Sequence, residues 1–259
     1  MSHPVHLCYV LLFAFHCIWQ AEPASAQPAT PTSVDAAPPA EEARDFYMGR
    51  EVADFMTYHG AGWLIRDSRN REEATELVMK NLGLEPGMVV CDLGCGNGYY
   101  TLRFARQVAP RGRVFAVDIQ PEMLQMLAAR VARARLDGVE PIKGEIDNPN
   151  LPAGEMDLIF LADVYHEFSH PESMMYWMRR ALKPKGVVAL VEYRKEDPTV
   201  PIKPLHKMSK EQIIKEYKAN GFKLVREFNG LPIQHLMYFA RDDSPLEEIE
   251  AKPWKESDQ

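Results

Sequence analysis

Asp92 and the three glycines that follow it are the residues whose types and spacing point most directly to chemistry. They lie in Met88–Thr101, MVVCDLGCGNGYYT, where Gly94, Gly96 and Gly98 occupy alternate positions after an apolar run. Glycine lets a backbone approach a ligand closely or adopt a positive φ. The pattern predicts a buried strand, a glycine turn and a helix, which together receive a nucleotide-like ligand at the carboxyl end of a parallel sheet.

The spacing of the glycines distinguishes between two kinds of ligand. A nicotinamide dinucleotide site has the pattern G-x-G-x-x-G, whose third glycine packs the helix on the strand. In this chain the third glycine comes one position earlier, at Gly98, and Tyr99 stands in its place. Asp92 would repel a pyrophosphate and attract a cation. The stretch therefore favours a cationic ligand without phosphates, and a nicotinamide-dependent oxidoreductase is the less favoured alternative.

The elements that must position this stretch alternate between strands and helices, which predicts a mostly parallel sheet. Two helices are predicted ahead of the first strand, over Glu41–Met56 and from Asp67 or Ser68 to about Leu82, as an N-terminal helical cover. Asn229-Gly230 predicts a closing antiparallel hairpin. Predicted strands after the first are Arg113–Val117, Val139–Lys143, Met156–Ala162, Val187–Tyr193, Phe222–Phe228 and Ile233–Ala240; predicted helices are Tyr99–Val108, Glu122–Leu136, Glu172–Leu182 and Lys210–Asn220.

Composition excludes some classes of protein. The 259 residues are 46% hydrophobic and carry a net charge of −7, which suits a globular domain and argues against a non-specific nucleic-acid binder. We therefore expect no nucleic-acid partner. Cys91 and Cys95 are predicted to lie too far apart for a disulfide. No cysteine or histidine spacing typical of zinc is present, so the sequence predicts no metal site.

The first residues have the composition of a secretory leader. Leu7–Trp19 is a short apolar run, and Ala24-Ser25-Ala26 is a small-residue cleavage site, although no Lys or Arg precedes the run. We expect a signal peptide over 1–26, a disordered Pro/Ala-rich linker over 27–42, a folded domain over 43–242 and a charged, frayed tail over 243–259. The protein would then be exported, periplasmic or secreted, with no stable membrane span after cleavage. An uncleaved anchor, or a misassigned start and a cytoplasmic protein, are the alternatives.

The segment Val90–Gly98 resembles motif I of class I S-adenosylmethionine-dependent methyltransferases, most closely the UbiE-like type 11 branch. The resemblance covers about Asn70–Ala240. It implies an α/β, Rossmann-like fold: a seven-stranded, mostly parallel sheet with a C-terminal antiparallel hairpin and helices on both faces. It also implies S-adenosylmethionine as the cofactor and a small molecule as the methyl acceptor. Asp163-Val164-Tyr165 differs from the N/D-P-P-Y of DNA amino-methyltransferases, which disfavours base methylation.

The same resemblance implies which residues bind the cofactor. Asp118, at the end of a strand, matches the acid that accepts both ribose hydroxyls, and a carboxylate suits this because it only accepts hydrogen bonds. The loop Gly144–Pro152 matches the segment over adenine, where either Glu145 or Asp147 would take the exocyclic amine, with Asp147 preferred. The full set of predicted cofactor-binding residues is Asp92, Gly94, Cys95, Gly96, Gly98, Asp118, Ile119, Asp147 and Asp163.

Tyr165-His166-Glu167 follows the strand at whose end the methyl group should point. Histidine titrates near neutrality, so His166 is predicted to act as the base or to orient the acceptor, supported by Tyr165 and Glu167. The walls of the acceptor pocket are predicted in Thr57–Arg66 and Arg194–Met208. The alternatives are structural: Asp118 and Asp163 as helix caps, His166 as a buried polar residue, and the two stretches as surface cover. A different class of function, an exported module that binds S-adenosylmethionine without turnover, also remains open.

Overall fold

The computed structural model describes Met1 and residues 42–254. The predicted signal peptide after Met1, and all but the last residue of the predicted linker, therefore lie outside the described residues. The chain divides into two units at Pro31, and all elements named below belong to the second. No helix among the described residues is long and apolar enough to cross a membrane.

The second unit contains nine strands and six α-helices within the described residues. The strands are β1 Phe46–Tyr47, β2 Arg50–Glu51, β3 Val89–Leu93, β4 Arg113–Asp118, β5 Val139–Lys143, β6 Met156–Ala162, β7 Leu182–Tyr193, β8 Phe222–Phe228 and β9 Gln234–Arg241. The helices are α1 Arg69–Glu73, α2 Thr75–Leu82, α3 Thr101–Val108, α4 Pro121–Ala134, α5 Pro171–Ala181 and α6 Lys210–Ala219.

Seven strands form one sheet in the order β5-β4-β3-β6-β7-β9-β8. The pairs from β5 to β7 are parallel, and β9 runs antiparallel to both of its neighbours. The predicted fold is confirmed. Because β4 lies on one side of β3 and β6 on the other, the strand order reverses at β3. A ligand crevice opens at such a reversal, outside the carboxyl ends of the strands.

Both faces of the sheet are buried, which explains the nearly continuous apolar runs of its central strands. Val90 of β3 faces a cluster that includes residues of α2 and α3, such as Val78 and Phe104. Its neighbour Cys91 faces the opposite cluster, which includes residues of α5 and α6, such as Met175. Successive side chains of the strand thus belong to two hydrophobic cores, one on each face of the sheet. Helices lie on both faces, as predicted.

The predicted N-terminal helical cover is only partly present. The helix predicted over Glu41–Met56 is wrong for the described residues, because β1 and β2 form a hairpin there. Its turn has positive φ at Met48 (48°) and Gly49 (100°), which ends any helical repeat. The second predicted helix is divided into α1 and α2 by Ala74, at φ 51°.

The tail was expected to be frayed, but its described part contacts the domain. The Ile249 amide donates to the Leu224 carbonyl at 2.8 Å, and the Lys252 amide donates to Glu227 at 2.8 Å. Trp254 lies 5.2 Å from the guanidinium of Arg194. These long-range contacts hold residues that carry no periodic apolar pattern of their own.

Candidate functional site

The glycine turn lies at the carboxyl end of β3, in the crevice of the sheet. Gly94 has φ 74°, and a Cβ built there would lie 2.6 Å from Val164, so the turn requires glycine for both its backbone and its space. The amides of Gly94 and Cys95 both donate to the Val117 carbonyl at 2.9 Å. The turn is therefore fixed between β4 and the loop that follows β6.

Asp118 ends β4 beside this turn. Its Oδ2 accepts from the Gly96 amide at 2.8 Å and its Oδ1 from the Gln120 amide at 2.9 Å. Burial raises the pKa of the carboxyl, although the backbone hydrogen bonds oppose the increase. Each carboxylate oxygen can accept a second hydrogen bond, so Asp118 retains acceptor capacity for a ligand. Ile119 is half-buried directly after it.

A small pocket lies above the end of β3, and Asp92 is one of its buried walls. Asp92 Oδ2 accepts from the Thr101 hydroxyl at 2.5 Å. Burial raises the pKa of Asp92 to about 6. Leu64, Arg69 and Cys95 also line the pocket, which therefore presents a carboxyl and a guanidinium within one small space.

Arg69 is a candidate site residue that sequence analysis missed. Its Nε donates to Glu73 at 2.8 Å and its Nη1 to the Leu64 carbonyl at 2.8 Å, which holds the guanidinium over the Tyr99 ring at 4.3 Å. No motif marks Arg69, because it comes from the short helix α1, well before the glycine turn. The only available signal was its position in the segment that precedes β3.

Asp163 follows β6 in a strained conformation, with φ 56°. Its Oδ2 accepts from Gln234 Nε2 at 2.7 Å, while its buried Oδ1 has no hydrogen-bond partner among the described residues. Burial raises the pKa of Asp163 well above its ordinary value, and the carboxylates of Glu73 and Glu192 raise it further. Asp163 is thus a buried acceptor with an unused oxygen, and it caps no helix in this structure.

The loop after β5 returns to Asp118, since the Gly144 amide donates to the Asp118 carbonyl at 3.1 Å. Its two acids differ in their surroundings. Glu145 is exposed and forms an ion pair with Lys143 at 3.1 Å. Asp147 is half-buried and has no hydrogen bond or ion pair to another described residue. Asp147 is therefore the acid of this loop that is available for a ligand.

The structure separates Tyr165 from its two neighbours. Tyr165 is fully buried in the core, where its hydroxyl donates to Glu216 Oε2 at 2.6 Å and its ring packs against Phe168 and Tyr217. Arg50 of β2 pairs with the same Glu216 at 2.7 Å. These contacts hold the Tyr165 side chain in the core, away from the residues that line the pocket.

His166 and Glu167 lie instead at the carboxyl edge of the sheet. His166 Nδ1 lies 2.7 Å from Glu192 Oε2, and its Nε2 lies 3.1 Å from His206 Nδ1. Burial by itself would lower the pKa of His166, but the carboxylates of Glu192, Glu167 and Asp163 together raise it above its ordinary value. Burial also raises the pKa of Glu167 to about 7. The loop therefore places two titratable groups with raised pKa values side by side.

The two stretches predicted as walls both reach this edge. Asn97 of the glycine turn donates to the Ala61 carbonyl at 2.7 Å, so Thr57–Arg66 covers the turn itself. Arg194–Met208 brings His206 to His166.

The sequence predicts no metal site, but the structure brings together His166, Glu167 and His206 as a group with ligand geometry. His206 lies 40 positions after His166, so no spacing rule could find this group. Cys91 and Cys95 are both free, as expected.

Comparison with known proteins identifies the family of this chain. The profile of a family described as "Methyltransferase domain" matches residues 84–249. The Ubiquinone/menaquinone biosynthesis C-methyltransferase UbiE of Cupriavidus taiwanensis is 33% identical over 117 residues, which is 44% of this chain and 46% of that protein. The protein of that description from Shewanella sediminis is 26% identical over 157 residues, 60% of this chain and 58% of that protein. The chain spans about half the length of the curated relatives it matches.

A solved structure resembles most of the described chain. The crystal structure of a SAM dependent methyltransferase from Aquifex aeolicus superposes with a TM-score of 0.67 at 28% identity, and covers 71% of this chain and 98% of that one. Together with the match over residues 84–249, this shows that the chain belongs to the methyltransferase domain family, as a UbiE-like member of the class I methyltransferases whose cofactor is S-adenosylmethionine.

Proposed function

We propose that this protein transfers a methyl group from S-adenosylmethionine to a small-molecule acceptor. The observation that supports the proposal best is the meeting of two loops at one edge of the sheet. Val164, from the loop after β6, packs against Gly94 of the glycine turn. His166 and Glu167 follow in the same loop after Tyr165 and therefore lie beside the cofactor crevice, where an acceptor would meet the methyl group.

The proposed cofactor pose uses the charges of the crevice. Asp118 accepts hydrogen bonds from the ribose hydroxyls, and Asp147 accepts one from the adenine amine. Asp92 faces the cationic part of the methionine end, and Arg69 takes its carboxylate, since a guanidinium suits a planar carboxylate. The small pocket that joins Asp92 and Arg69 supports this orientation.

Methyl transfer is an in-line displacement in which the acceptor atom forms a bond to the methyl carbon as the carbon–sulfur bond breaks and S-adenosylhomocysteine leaves. Holding the two atoms in line contributes up to about 7–11 kcal/mol in ideal cases. His166 either takes the proton from the acceptor or orients it. Glu192 holds the imidazole through Nδ1, which directs Nε2 away from the core. Tyr165 supports the loop from below through Glu216.

Loss of His166 should reduce turnover and leave cofactor binding intact. We expect His166→Ala to lower kcat by about 100-fold or more, the usual effect of a positioned acid–base group. The measurement is transfer of a labelled methyl group into a fractionated cell extract, with mass spectrometry of the product. Asp137→Ala, at an exposed acid in the turn before β5, is the control. Undiminished turnover in His166→Ala would refute its role, and cofactor binding without any labelled product would refute methyl transfer by this protein.

Cofactor affinity should fall as the pH decreases through 6. The pKa of Asp92 is about 6 in the free protein, and a bound cation favours the carboxylate, so binding must displace a proton at low pH. We expect S-adenosylmethionine to bind about tenfold more weakly at pH 5 than at pH 7. Calorimetry measures this directly. Methylthioadenosine, which lacks the charged methionine end, is the control and should show no such change. An equal pH dependence for both ligands, or its persistence in Asp92→Asn, would contradict the proposed pose.

A further inference from the structure

We propose that His166, Glu167 and His206 form a binding site for one divalent transition-metal ion. The three side chains come from the loop after β6 and from the stretch between β7 and α6. Their ligand atoms lie within 4.8 Å of one another. The binding site itself is independent of the proposed methyl transfer and depends only on this arrangement.

The distances suit an ion placed between the three groups. His166 Nε2 and His206 Nδ1 are 3.1 Å apart, and Glu167 Oε1 is 4.0 Å from His166 Nε2. Two metal–nitrogen bonds of about 2.1 Å that meet at 90–110° require their nitrogens to be about 3.0–3.4 Å apart. The two imidazoles already satisfy that requirement. Glu167 Oε1, which accepts from the Met56 amide at 3.3 Å, has to move closer to His166 Nε2 to join them.

Glu192 gives His166 the orientation that a metal ligand needs. The Glu192 carboxylate is completely buried and accepts from His166 Nδ1 at 2.7 Å and from the His166 amide at 3.3 Å. A carboxylate on one ring nitrogen fixes the tautomer and raises the basicity of the other nitrogen, as is usual behind metal-bound histidines. In the neutral imidazole that donates from Nδ1 to Glu192, the lone pair is on Nε2, on the side of His206 and Glu167.

Charge and access also suit a cation. Within residues 42–254, Glu167 and Glu192 each form a close ion pair with His166 and none with a lysine or arginine. His166 is only 2% exposed, whereas Glu167 and His206 are half-buried. An ion can therefore enter from the side of Glu167 and His206 and reach the buried imidazole.

The donor set selects the class of metal. Two imidazoles and one carboxylate suit Zn²⁺, Co²⁺ or Fe²⁺, whereas Mg²⁺ and Ca²⁺ prefer oxygen ligands throughout. Three protein ligands leave positions open for an exogenous donor. If the proposed function holds, on which this last step rests, an acceptor that binds through oxygen would occupy one of them. His166 would then orient the acceptor and would not remove its proton.

The test is a titration of the full chain with Co²⁺, carried out after treatment with a chelator and without a histidine tag. Co²⁺ bound to nitrogen ligands absorbs visible light, and Zn²⁺ should displace it. We expect one equivalent to bind, with at least 100-fold weaker binding in His206→Ala and Glu167→Gln. Glu192→Gln should weaken binding by about 10- to 100-fold. The control Asp137→Ala, at an exposed acid in the turn before β5, should bind as the unaltered chain does.

Each possible outcome either supports or overturns the proposed metal site. Absence of visible absorption in the unaltered chain, or equal affinity in His206→Ala and Glu167→Gln, would overturn the metal site. S-adenosylmethionine binding by each variant verifies that it is folded, and His206→Ala changes a side chain that is only half-buried. Because binding is measured without cofactor or acceptor, a bound metal with no methyl transfer would refute only the proposed function. Methyl transfer without metal binding would refute only the metal site.

Discussion

Asp118→Ala is expected to weaken S-adenosylmethionine binding by about 100- to 1,000-fold. Two hydrogen bonds to a charged, buried acceptor contribute about 3–4 kcal/mol together. In the proposed pose both hydrogen bonds come from the ribose hydroxyls. Once the carboxylate is removed, these hydroxyls have only water as an acceptor. The substitution also removes the acceptor of the Gly96 amide, which fixes the glycine turn at 2.8 Å. Calorimetry with purified protein measures the change in Kd.

Two further variants identify the cause of that loss. Asp118→Asn keeps the size of the side chain but replaces one acceptor oxygen with a donor, so its binding should lie between those of the unaltered chain and Asp118→Ala. Asp137→Ala removes an exposed acid from the turn before β5 and should leave Kd unchanged. A tenfold loss or less in Asp118→Ala would show that the ribose does not depend on this carboxylate.

Glu216→Ala is expected to lower the free energy of unfolding by about 3–5 kcal/mol, because it breaks a buried ion pair and leaves the cation unpaired. Glu216 is completely buried and accepts from Arg50 at 2.7 Å and from the Tyr165 hydroxyl at 2.6 Å. Arg50 also donates to the His166 carbonyl at 2.9 Å, so the pair supports the loop after β6. Urea denaturation monitored by circular dichroism measures the loss.

The pair between Arg44 and Glu172 provides the comparison for this prediction. Its charges also lie 2.7 Å apart, but its side chains are 36% and 44% exposed. Exposed pairs contribute about 0–1 kcal/mol, so Glu172→Ala should change stability by less than 1 kcal/mol. Equal effects of Glu172→Ala and Glu216→Ala would mean that burial does not determine how much an ion pair contributes to the free energy of unfolding.

The site could be predicted from sequence where short segments determine it. The turn after β3 depends on local rules, because glycines at positive φ and an apolar strand leave few conformations available. Asp118 could be located for the same reason, since it ends a strand beside that turn. The prediction of Glu41–Met56 as a helix failed because its apolar spacing fits a helix, whereas Met48 and Gly49 form a turn. Long-range packing outweighs such weak local preferences.

By itself, the sequence determined the parallel sheet, the glycine turn and the cofactor, because these follow from the period of apolar residues and from a motif within nine positions. Only the tertiary structure decided which side chains complete the site. Arg69 reaches the pocket from α1, and His206 meets His166 across 40 positions. Tyr165, adjacent to His166 in sequence, turns into the core toward Glu216. The physical reason is that contacts between distant segments depend on how helices and loops pack on the sheet, and no local pattern encodes that packing.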